Sequence, residues 1–295
     1  METKVTRVPI HGYSVLDPSP TQDELDKYYK EQYFANINKG DRAPEIARQL
    51  AGGEEAEEEV EWLEKTLYLD LLAVLDKLAD EHSLLDIGCG TGAFLKYAAR
   101  NGWTTAGVEP SEQGTSMSSD LENNIYNMSI ADFAKMCGRT FGAVTLLNVL
   151  EHVLNPVAVL EMTTDLLNPR GVLCIRVPND FSAFQMHADK ERRRWWITAP
   201  DHINYFNFYS LKSLLRSVGL EVKYATTDFP MEMFILMGDN YIGNPALGAS
   251  CHKKRRNFEL SISDKLRRTV YHSFAESGVG RSCIMFATKS GEEKK

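Results

Sequence analysis

The sequence lacks the long apolar runs, paired cysteines and excess of positive charge that define several large classes of protein. No run approaches the roughly 18 apolar residues of a membrane span, and the N-terminal stretch lacks the apolar centre of a secretory signal. The 5 cysteines are scattered without a CxxC pair, which predicts neither a disulfide framework nor a zinc site. A net charge of −8, from 33 Lys and Arg against 41 Asp and Glu, argues against binding to nucleic acid through broad positive charge. We therefore expect a cytoplasmic protein that acts on a small molecule, with no nucleic-acid partner, no membrane span and no metal.

The composition is that of an ordinary globular protein. Its 295 residues are 43 % hydrophobic and 25 % charged, which allows one large or two modest domains. Residues 1 to about 20 contain prolines and little periodicity, so they predict an extended arm that leads into a helix start at Thr21. A further helix is predicted from the glutamates after Gly53 through Leu75, with an apolar stripe that needs a packing partner. Residues 1–80 are thus predicted to be an N-terminal arm with helices.

From Ser83 onward, short apolar runs alternate with helical stretches, a pattern typical of βαβ units in a mostly parallel sheet. Strands are predicted near Leu84–Ile87, Thr104–Val108, Ile125–Asn127, Ala143–Leu147, Val172–Val177, Leu220–Thr226 and Cys283–Thr288. The stretch between the last two is too long for a simple connection and shows helix-like patterns at Met231–Met237 and Phe258–Phe274. We predict an α/β, Rossmann-like domain over residues 81–295, with a seven-stranded sheet, helices on both faces and a helical insertion at about 229–280.

A glycine-rich turn follows the first strand of this domain, in the run DIGCGTG at Asp86–Gly92. Gly88, Gly90 and Gly92 allow the backbone to turn sharply and to approach a ligand, and the helix after them offers free N–H groups. Open α/β sheets bind nucleotides at such a strand end. The next strand ends at Glu109, whose carboxylate can accept hydrogen bonds from both hydroxyls of a ribose. The two features together predict a ligand of the adenosine type.

The glycines alone are ambiguous between two kinds of adenosine ligand. The run from Gly88 to Ala93 satisfies the dinucleotide fingerprint G-x-G-x-x-G/A, with Glu109 about twenty residues on, and so permits an NAD-dependent oxidoreductase. Asp86 argues for a different ligand, because its negative charge would attract a cation and repel a pyrophosphate. The additional Gly92 and the position of the motif, well inside the chain, favour the same conclusion.

The run Asp86–Gly92 and the acid at Glu109 resemble the class I S-adenosylmethionine-dependent methyltransferases, through the motif D-x-G-C-G-x-G. The segments 148–179 and 201–220, with NVLEHVLNP, LNPRG and DHINYF, resemble the subgroup that contains quinone-ring and sugar O-methyltransferases. The resemblance covers roughly residues 83–228. It implies the strand order 3-2-1-4-5-7-6 with an antiparallel last strand, S-adenosyl-L-methionine as the cofactor and S-adenosyl-L-homocysteine as the product.

The resemblance also implies which residues bind the cofactor. The methionine part would lie against the glycine-rich turn, the ribose against Glu109 and the sulfonium beside Asn148. The full set is Asp86, Gly88, Cys89, Gly90, Gly92, Glu109, Pro110, Ser129, Ile130 and Asn148, where Ser129 and Ile130 would contact the adenine. The helix that carries Tyr29 and Tyr33 resembles one that closes over the cofactor in related enzymes, so the N-terminal region is predicted to pack over the cofactor site. A plain packing helix is the alternative.

Methyl transfer from a sulfonium is an in-line displacement, so the protein must align the reactants, exclude water and remove a proton from a hydroxyl nucleophile. His152 follows the fourth strand and His202 precedes the sixth, which makes them candidate bases at the cofactor end of the sheet. For His152 the alternative is a structural residue at the start of the next helix. His202 lies on a loop that should border the acceptor.

The run Arg192–Trp196 falls where this fold builds its acceptor lid. Arginine binds phosphates and carboxylates through two hydrogen bonds, and tryptophan faces stack on sugars. The predicted substrate contacts are Arg194, Trp195, Trp196 and Tyr205. A solvated basic face with the tryptophans packed inward is the alternative.

The leading interpretation is an S-adenosylmethionine-dependent O-methyltransferase for a small acceptor such as a sugar or sugar nucleotide. A quinone or phenol acceptor is the nearest alternative, favoured if Phe229, Met231, Met233 and Phe234 provide an apolar lining. Alternatives from other classes are a noncatalytic methyltransferase-like binding subunit and an NAD-dependent oxidoreductase. Neither the acceptor atom nor the oligomeric state follows from the sequence.

Overall fold

The computed structural model describes residues 4–28, 32, 47–48, 52–116 and 124–291. The strands are β1 (Lys4–Arg7), β2 (Ser14–Asp17), β3 (Ser83–Ile87), β4 (Thr104–Val108), β5 (Ile125–Tyr126), β6 (Phe141–Leu147), β7 (Leu167–Pro178), β8 (Asn204–Tyr205), β9 (Leu220–Thr226) and β10 (Ser282–Lys289). The α-helices are α1 (Gln22–Tyr28), α2 (Gly53–Leu63), α3 (Leu69–Leu78), α4 (Ala93–Arg100), α5 (Glu112–Ser116), α6 (Ile130–Met136), α7 (Pro156–Asp165), α8 (Ala183–Ala188), α9 (Phe208–Ser217), α10 (Glu232–Leu236), α11 (Pro245–Ser261) and α12 (Asp264–Glu276).

The larger sheet has seven strands in the order β5-β4-β3-β6-β7-β10-β9. Strands β3 to β7 pair in parallel, whereas β10 is antiparallel to both β7 and β9. Numbered within the sheet, this is the predicted order 3-2-1-4-5-7-6 with an antiparallel last strand, so the predicted fold class is confirmed. Helices on both faces explain why the central strands are near-continuous apolar runs, since such strands are buried on both sides.

Most predicted strands agree with the structure, and β7 is the main exception. It begins at Leu167, whereas the sequence predicted a strand start near Val172. Leu167 pairs with Phe141 of β6 before the register shifts, and a Cβ at Gly171 would lie 2.9 Å from the carbonyl oxygen of Phe141. The turn-forming residues before Val172 therefore belong to an irregular strand segment that a pattern of turn residues does not distinguish from a loop.

The predicted N-terminal arm folds into a β-hairpin. Strands β1 and β2 are antiparallel, and β2 pairs with β8 to give a second, three-stranded sheet. Leu16 of β2 packs in a buried cluster with Trp196 and Tyr205. Helix α1 begins directly after Thr21, whose backbone N–H donates to Glu24 and whose hydroxyl accepts from the Glu24 N–H, as the predicted helix start requires. A partner strand nearly two hundred residues away gives the arm its structure, and local sequence does not reveal it.

The N-terminal helices and the insertion pack against the sheet and against each other. Helix α2 continues into α3 through a π-helical turn, and its stripe packs on the face of the sheet that includes Leu84 and Phe286. In the insertion, the helix predicted over Phe258–Phe274 is broken, because the Ser263 side chain accepts the N–H of Leu266 and starts α12. The domain division after residue 80 and the bounds of the insertion stay predictions.

Candidate functional site

The glycine-rich turn joins β3 to α4 at the carboxyl end of the sheet. Its glycines all have positive φ, +70° at Gly88, +52° at Gly90 and +70° at Gly92, a region that L side chains rarely adopt. A Cβ at Gly88 would lie 2.6 Å from Cγ2 of Val149, whereas one at Gly90 would meet nothing within 4 Å. The turn therefore packs tightly against the segment after β6 at Gly88 and leaves open space at Gly90. Gly92 precedes the first turn of α4.

Asp86 lies beneath this turn and is 3 % exposed. It faces Thr145 across the β3–β6 pair, and the Thr145 hydroxyl donates to its carboxylate over 2.5 Å. Burial raises the pKa of Asp86 to about 7, against the effect of the Thr145 hydrogen bond and with a contribution from the negative charge of Glu109. A cation bound at the turn would favour the ionised form of this carboxyl.

Glu109 closes the turn from the neighbouring strand. One carboxylate oxygen accepts the N–H of Gly90 at 3.0 Å and the other accepts the N–H of Ser111 at 2.9 Å. Burial raises the pKa of Glu109, and these two hydrogen bonds act in the opposite direction. Each oxygen keeps a further lone pair for a hydroxyl donor. The Cys89 sulfur lies close to Gly107, since a Cβ added at Gly107 would be 2.7 Å from that sulfur. Pro110 is exposed.

The predicted adenine contacts lie at the start of α6. Ser129 is exposed and caps the helix, since its hydroxyl oxygen accepts the N–H of Asp132 at 3.1 Å. Ile130 is half-buried and packs against the main core. Tyr29 and Tyr33 lie outside the described residues. Ser129 is therefore the N-terminal cap of α6, a structural role that the sequence analysis did not predict.

The segment after β6 carries the other residues of the site. Asn148 is exposed with φ of +59°, its N–H donates to the carbonyl of Arg176, and its side-chain oxygen accepts from the Arg176 guanidinium at 2.9 Å. Residues Leu150–His152 form a 3₁₀ turn in which Glu151 is buried and His152 half-buried. Asn148 and His152 thus project from consecutive turns at the carboxyl end of the sheet.

The two predicted bases meet in the structure. The rings of His152 and His202 stand edge to face with centroids 4.9 Å apart. Nδ1 of His152 lies 2.8 Å from the carbonyl oxygen of Asp201, and because a carbonyl only accepts, this nitrogen carries the proton. The neutral ring then has its lone pair on Nε2. The structural interpretation of His152 and the catalytic one are therefore compatible.

Glu151, His152 and His202 also form a group with the donor set of a metal site. One ligand atom from each lies within 4.8 Å of the others. Burial raises the pKa of Glu151, and its Oε2 has no hydrogen-bond partner within the part of the chain that the structure describes. Two imidazoles and a carboxylate suit divalent transition metals. The sequence predicted no metal, because His202 lies 50 positions after His152 and only the fold brings the three residues together.

The predicted acceptor residues divide into exposed and buried ones. Arg194 is exposed, with its guanidinium 5.8 Å from the ring centroid of Phe181, and its backbone N–H donates to Asp189. Trp195 is half-buried. Trp196 is 7 % exposed, and its indole N–H has no partner among residues 4–28, 32, 47–48, 52–116 and 124–291.

Tyr205 is 1 % exposed, and its hydroxyl donates to the carbonyl of His202 over 2.8 Å. A substrate contact by Tyr205 stays a prediction; in this structure its ring packs with Leu16 and Trp196, and its hydroxyl bonds to protein. The hydroxyl holds the backbone of His202.

Sequence reasoning missed the buried polar residues behind the site. Arg176, in the otherwise apolar run Val172–Val177 of β7, donates to Asp228 at 2.9 Å, and Ser282 donates to the same carboxylate. Asp180, directly after β7, has its pKa raised well above the usual value by burial and by the charges of Glu151 and Glu232. A lone charge within an apolar strand was the signal for Arg176, since such a group is buried only with a partner.

Comparisons with known proteins agree with this geometry. A family model described as a methyltransferase domain matches residues 60–225. The chain is 32 % identical over 149 residues to a ubiquinone biosynthesis O-methyltransferase from Dinoroseobacter shibae and 31 % identical over 151 residues to one from Ruegeria pomeroyi, covering 47 % of this chain and 59 % of the relative in each case. It therefore spans about three fifths of the length of these curated relatives.

Solved structures give the same fold. An S-adenosylmethionine-dependent methyltransferase from Archaeoglobus fulgidus superposes with a TM-score of 0.53 at 17 % identity, covering 88 % of this chain and 100 % of that one. Magnesium protoporphyrin IX methyltransferase from Synechocystis, with bound S-adenosylhomocysteine, gives 0.53 at 13 % identity, with 92 % and 100 % covered. The resemblance to the class I methyltransferases is confirmed. Among the described helices, none combines the length and apolar character needed to cross a bilayer.

Proposed function

Because this chain belongs to the methyltransferase domain family, we propose that it transfers the methyl group of S-adenosylmethionine to a hydroxyl oxygen of a small aromatic acceptor. The observation that carries the proposal is the pair His152 and His202 beside the glycine-rich turn, where His152 is held in the tautomer that can accept a proton. The family match does not support the NAD-dependent alternative.

The cofactor would lie along the carboxyl end of β3, β4 and β6. Asp86 supplies a buried carboxyl beneath the turn, which suits a sulfonium, and Glu109 keeps lone pairs for the ribose hydroxyls. Gly90 leaves open space at its Cα, so the cofactor can approach the backbone closely. Asn148 borders the same edge from β6. This direct transfer requires no covalent bond between the protein and either ligand.

The relatives favour a phenol or quinol over a sugar nucleotide as the acceptor. Both carry the name ubiquinone biosynthesis O-methyltransferase, which gives oxygen as the methyl acceptor in those proteins. The apolar insertion residues give no support either way, since Phe229, Met231 and Phe234 pack with Cys251 and Tyr271 in a cluster of their own. The buried indole N–H of Trp196 would hydrogen-bond to a second oxygen of the acceptor.

In the proposed reaction, Nε2 of His152 takes the proton of the acceptor hydroxyl as its oxygen attacks the methyl carbon. The Asp201 carbonyl keeps the proton on Nδ1 of the same ring. The positive charge that forms on the ring would be stabilised by the Glu151 carboxylate, whose Oε1 lies 3.9 Å from Nε2. The edge of the His202 ring borders the same space.

The acceptor class is tested by methyl uptake from radiolabelled S-adenosylmethionine. Catechol and 3,4-dihydroxybenzoate represent phenols, and a panel of sugar nucleotides represents the competing class. We expect transfer to the phenols and none to the sugar nucleotides. Transfer to sugar nucleotides alone would overturn the acceptor assignment, and cofactor binding without transfer to any acceptor would favour a noncatalytic binding subunit.

The base is tested by kcat of His152→Ala and His202→Ala, with His187→Ala as the matched control because that ring is exposed and bonds to its own helix. We expect His152→Ala to lower kcat by about 10²-fold or more, since a positioned base contributes that much, and His187→Ala to leave it nearly unchanged. A kcat of His152→Ala close to that of the control would remove His152 from this role. Loss of wild-type activity in EDTA, restored by a divalent cation, would instead make it a metal ligand.

A further inference from the structure

Asn148 has an unusual position at the end of β6. Its backbone is left-handed, with φ of +59°, although it is not a glycine. Two hydrogen bonds to Arg176 hold it there: the Asn148 N–H donates to the Arg176 carbonyl over 2.8 Å, and its side-chain oxygen accepts from Nη1 over 2.9 Å. The residue is exposed at the carboxyl end of the sheet. Backbone and side chain are thus both fixed by one neighbour on β7.

The guanidinium of Arg176 is itself held in place. It is 6 % exposed and donates through Nη2 to Asp228 over 2.9 Å, and Asp228 also accepts from the Ser282 hydroxyl over 3.1 Å. Arg255 of α11 lies 3.6 Å from the same carboxylate. Burial would raise the pKa of Asp228, but the neighbouring cations outweigh burial and lower it, so the carboxylate is charged. A buried guanidinium with a charged partner has little freedom to turn.

This arrangement fixes the direction of the Asn148 amide. A guanidinium has only donors, so the group that faces it must be the amide oxygen. The amide NH₂ group then points away from Arg176. Without Arg176, the amide could turn by half a rotation and present its oxygen instead, because the two ends differ little in size.

We propose that Arg176, anchored by Asp228, is a positioning residue that presents the Asn148 NH₂ group to the acceptor oxygen and so selects oxygen over nitrogen as the methyl acceptor. The proposal rests on the proposed function for the identity of the reaction.

The selection follows from lone pairs. A hydroxyl oxygen forms the bond to the methyl carbon with one lone pair and can accept an N–H with the other, while its proton passes to the base. The carbon–sulfur bond breaks and its electron pair returns to the sulfur of S-adenosylhomocysteine. A neutral amine has a single lone pair, which the attack uses, so its nitrogen cannot also accept from Asn148. The donor therefore stabilises the transition state for oxygen alone.

The fixed amide is tested first without reference to activity. The side-chain ¹⁵N resonance of Asn148 is identified by its loss in Asn148→Ala, and relaxation of the NH₂ group is measured in the wild type and in Arg176→Lys. We expect a rigid group in the wild type, with an order parameter near that of the backbone, and a mobile one in Arg176→Lys. A mobile amide in the wild type would overturn the proposal, whether or not the protein transfers methyl groups.

The coupling is tested by a double-mutant cycle on kcat with catechol. We expect Asn148→Ala to lower kcat by about 10-fold to 100-fold, as for one hydrogen bond to a developing charge, with kcat measured at saturating S-adenosylmethionine because Asn148 also borders the cofactor edge. Arg176→Lys should lower kcat in the wild-type background and have no further effect in Asn148→Ala. Equal effects of Arg176→Lys in both backgrounds would show a merely structural role and overturn the proposal.

Specificity is read from 2-aminophenol, which offers a hydroxyl and an amine on one ring. We expect mainly O-methyl product from the wild type and a lower ratio of O-methyl to N-methyl product from Asn148→Asp. This variant keeps an oxygen for Arg176 and sits on the surface, so it is available even if Arg176→Lys does not fold. An unchanged ratio would overturn the selection of oxygen. A rigid amide with no methyl transfer to any acceptor would instead refute the proposed function and, with it, the selection.

Discussion

At the scale of single residues, Asp86 links the pH to cofactor binding. Burial raises its pKa to about 7, so part of the population carries a neutral carboxyl near neutral pH. Because the folded-state pKa lies above the unfolded one, the contribution of Asp86 to stability is full below about pH 3.8 and is lost as the pH rises through about 7. A sulfonium at the turn would lower that pKa, so binding of a cation releases a proton.

We therefore expect the Kd of S-adenosylmethionine to fall as the pH rises from 6 to 8, by up to about tenfold per pH unit below the pKa. S-adenosylhomocysteine shares the amino acid part but lacks the sulfonium charge, so its Kd should depend less on pH. Isothermal titration calorimetry measures both. Asp86→Asn should remove the difference between the two ligands, whereas Glu112→Gln, an exposed acid nearby, should retain it. An identical difference in Asp86→Asn would exclude Asp86 as its source.

The sequence indicates which residues lie close together where strand order alone decides it, and not where loop paths bring them together. Asp86 and Glu109 end adjacent parallel strands, and such strand ends meet at one edge of a sheet, so their proximity follows from the strand order. The contact of His152 with His202 and the bond of Asn148 to Arg176 join different βα units. Which side chain turns towards which depends on register and loop path, and neither is visible in the local pattern.

At the scale of elements, two effects of a substitution in the β3–α4 turn can be measured separately. One is the backbone strain at a positive φ, and the other is the steric contact with the segment after β6. Gly88 and Gly90 both have positive φ, so alanine at either position carries a similar backbone cost of about 1 kcal/mol. Only at Gly88 would the new methyl group meet a neighbour, Cγ2 of Val149 at 2.6 Å. That contact adds about 1–3 kcal/mol of overpacking.

We expect Gly88→Ala to lose about 1–3 kcal/mol more of the free energy of unfolding than Gly90→Ala, as measured by urea denaturation. Gly90→Ala is the matched control, since its Cβ enters open space. The combination of Gly88→Ala with Val149→Ala should recover most of the difference, because the shortened side chain vacates the contact. Equal losses at the two glycines would show that the turn does not press on Val149.

Strands whose apolar residues lie between clear turn residues were predicted with nearly correct bounds, and irregular elements that depend on distant pairing were not. Strands β4 and β9 begin and end as predicted, since apolar alternation and flanking turns define them. The hairpin of β1 and β2 forms a sheet with β8, and the first part of β7 is ordered by Phe141 of β6. In both cases the pairing strand lies too far along the chain for a local pattern of apolar residues to reveal it.

At the scale of the whole molecule, buried ion pairs join the N-terminal helices to the insertion. Arg267 of α12 is 1 % exposed and donates through Nε and Nη2 to the two carboxylate oxygens of Asp70 in α3, over 2.7 and 3.0 Å. In the same contact, the indole N–H of Trp62 donates to Glu259 over 2.8 Å. Each carboxylate here has a donor, so buried polar bonds attach the insertion to the N-terminal helices.

Arg267 and its neighbour Arg268 provide a matched test of that attachment, since both donate to Asp70. The side chain of Arg267 is 2 % exposed and bonds through two atoms, whereas that of Arg268 is 29 % exposed and bonds through one. Loss of Arg267 removes a buried side chain and leaves Asp70 with Arg268 alone, while loss of the more solvated Arg268 costs little. We expect Arg267→Ala to lower the free energy of unfolding by about 3 kcal/mol and Arg268→Ala by less than about 1 kcal/mol, as measured by urea denaturation. In a cycle with Asp70→Ala, the coupling to Arg267 should be the larger. Equal losses from the two arginines would mean that the buried, two-atom bond of Arg267 to Asp70 adds nothing beyond a surface ion pair.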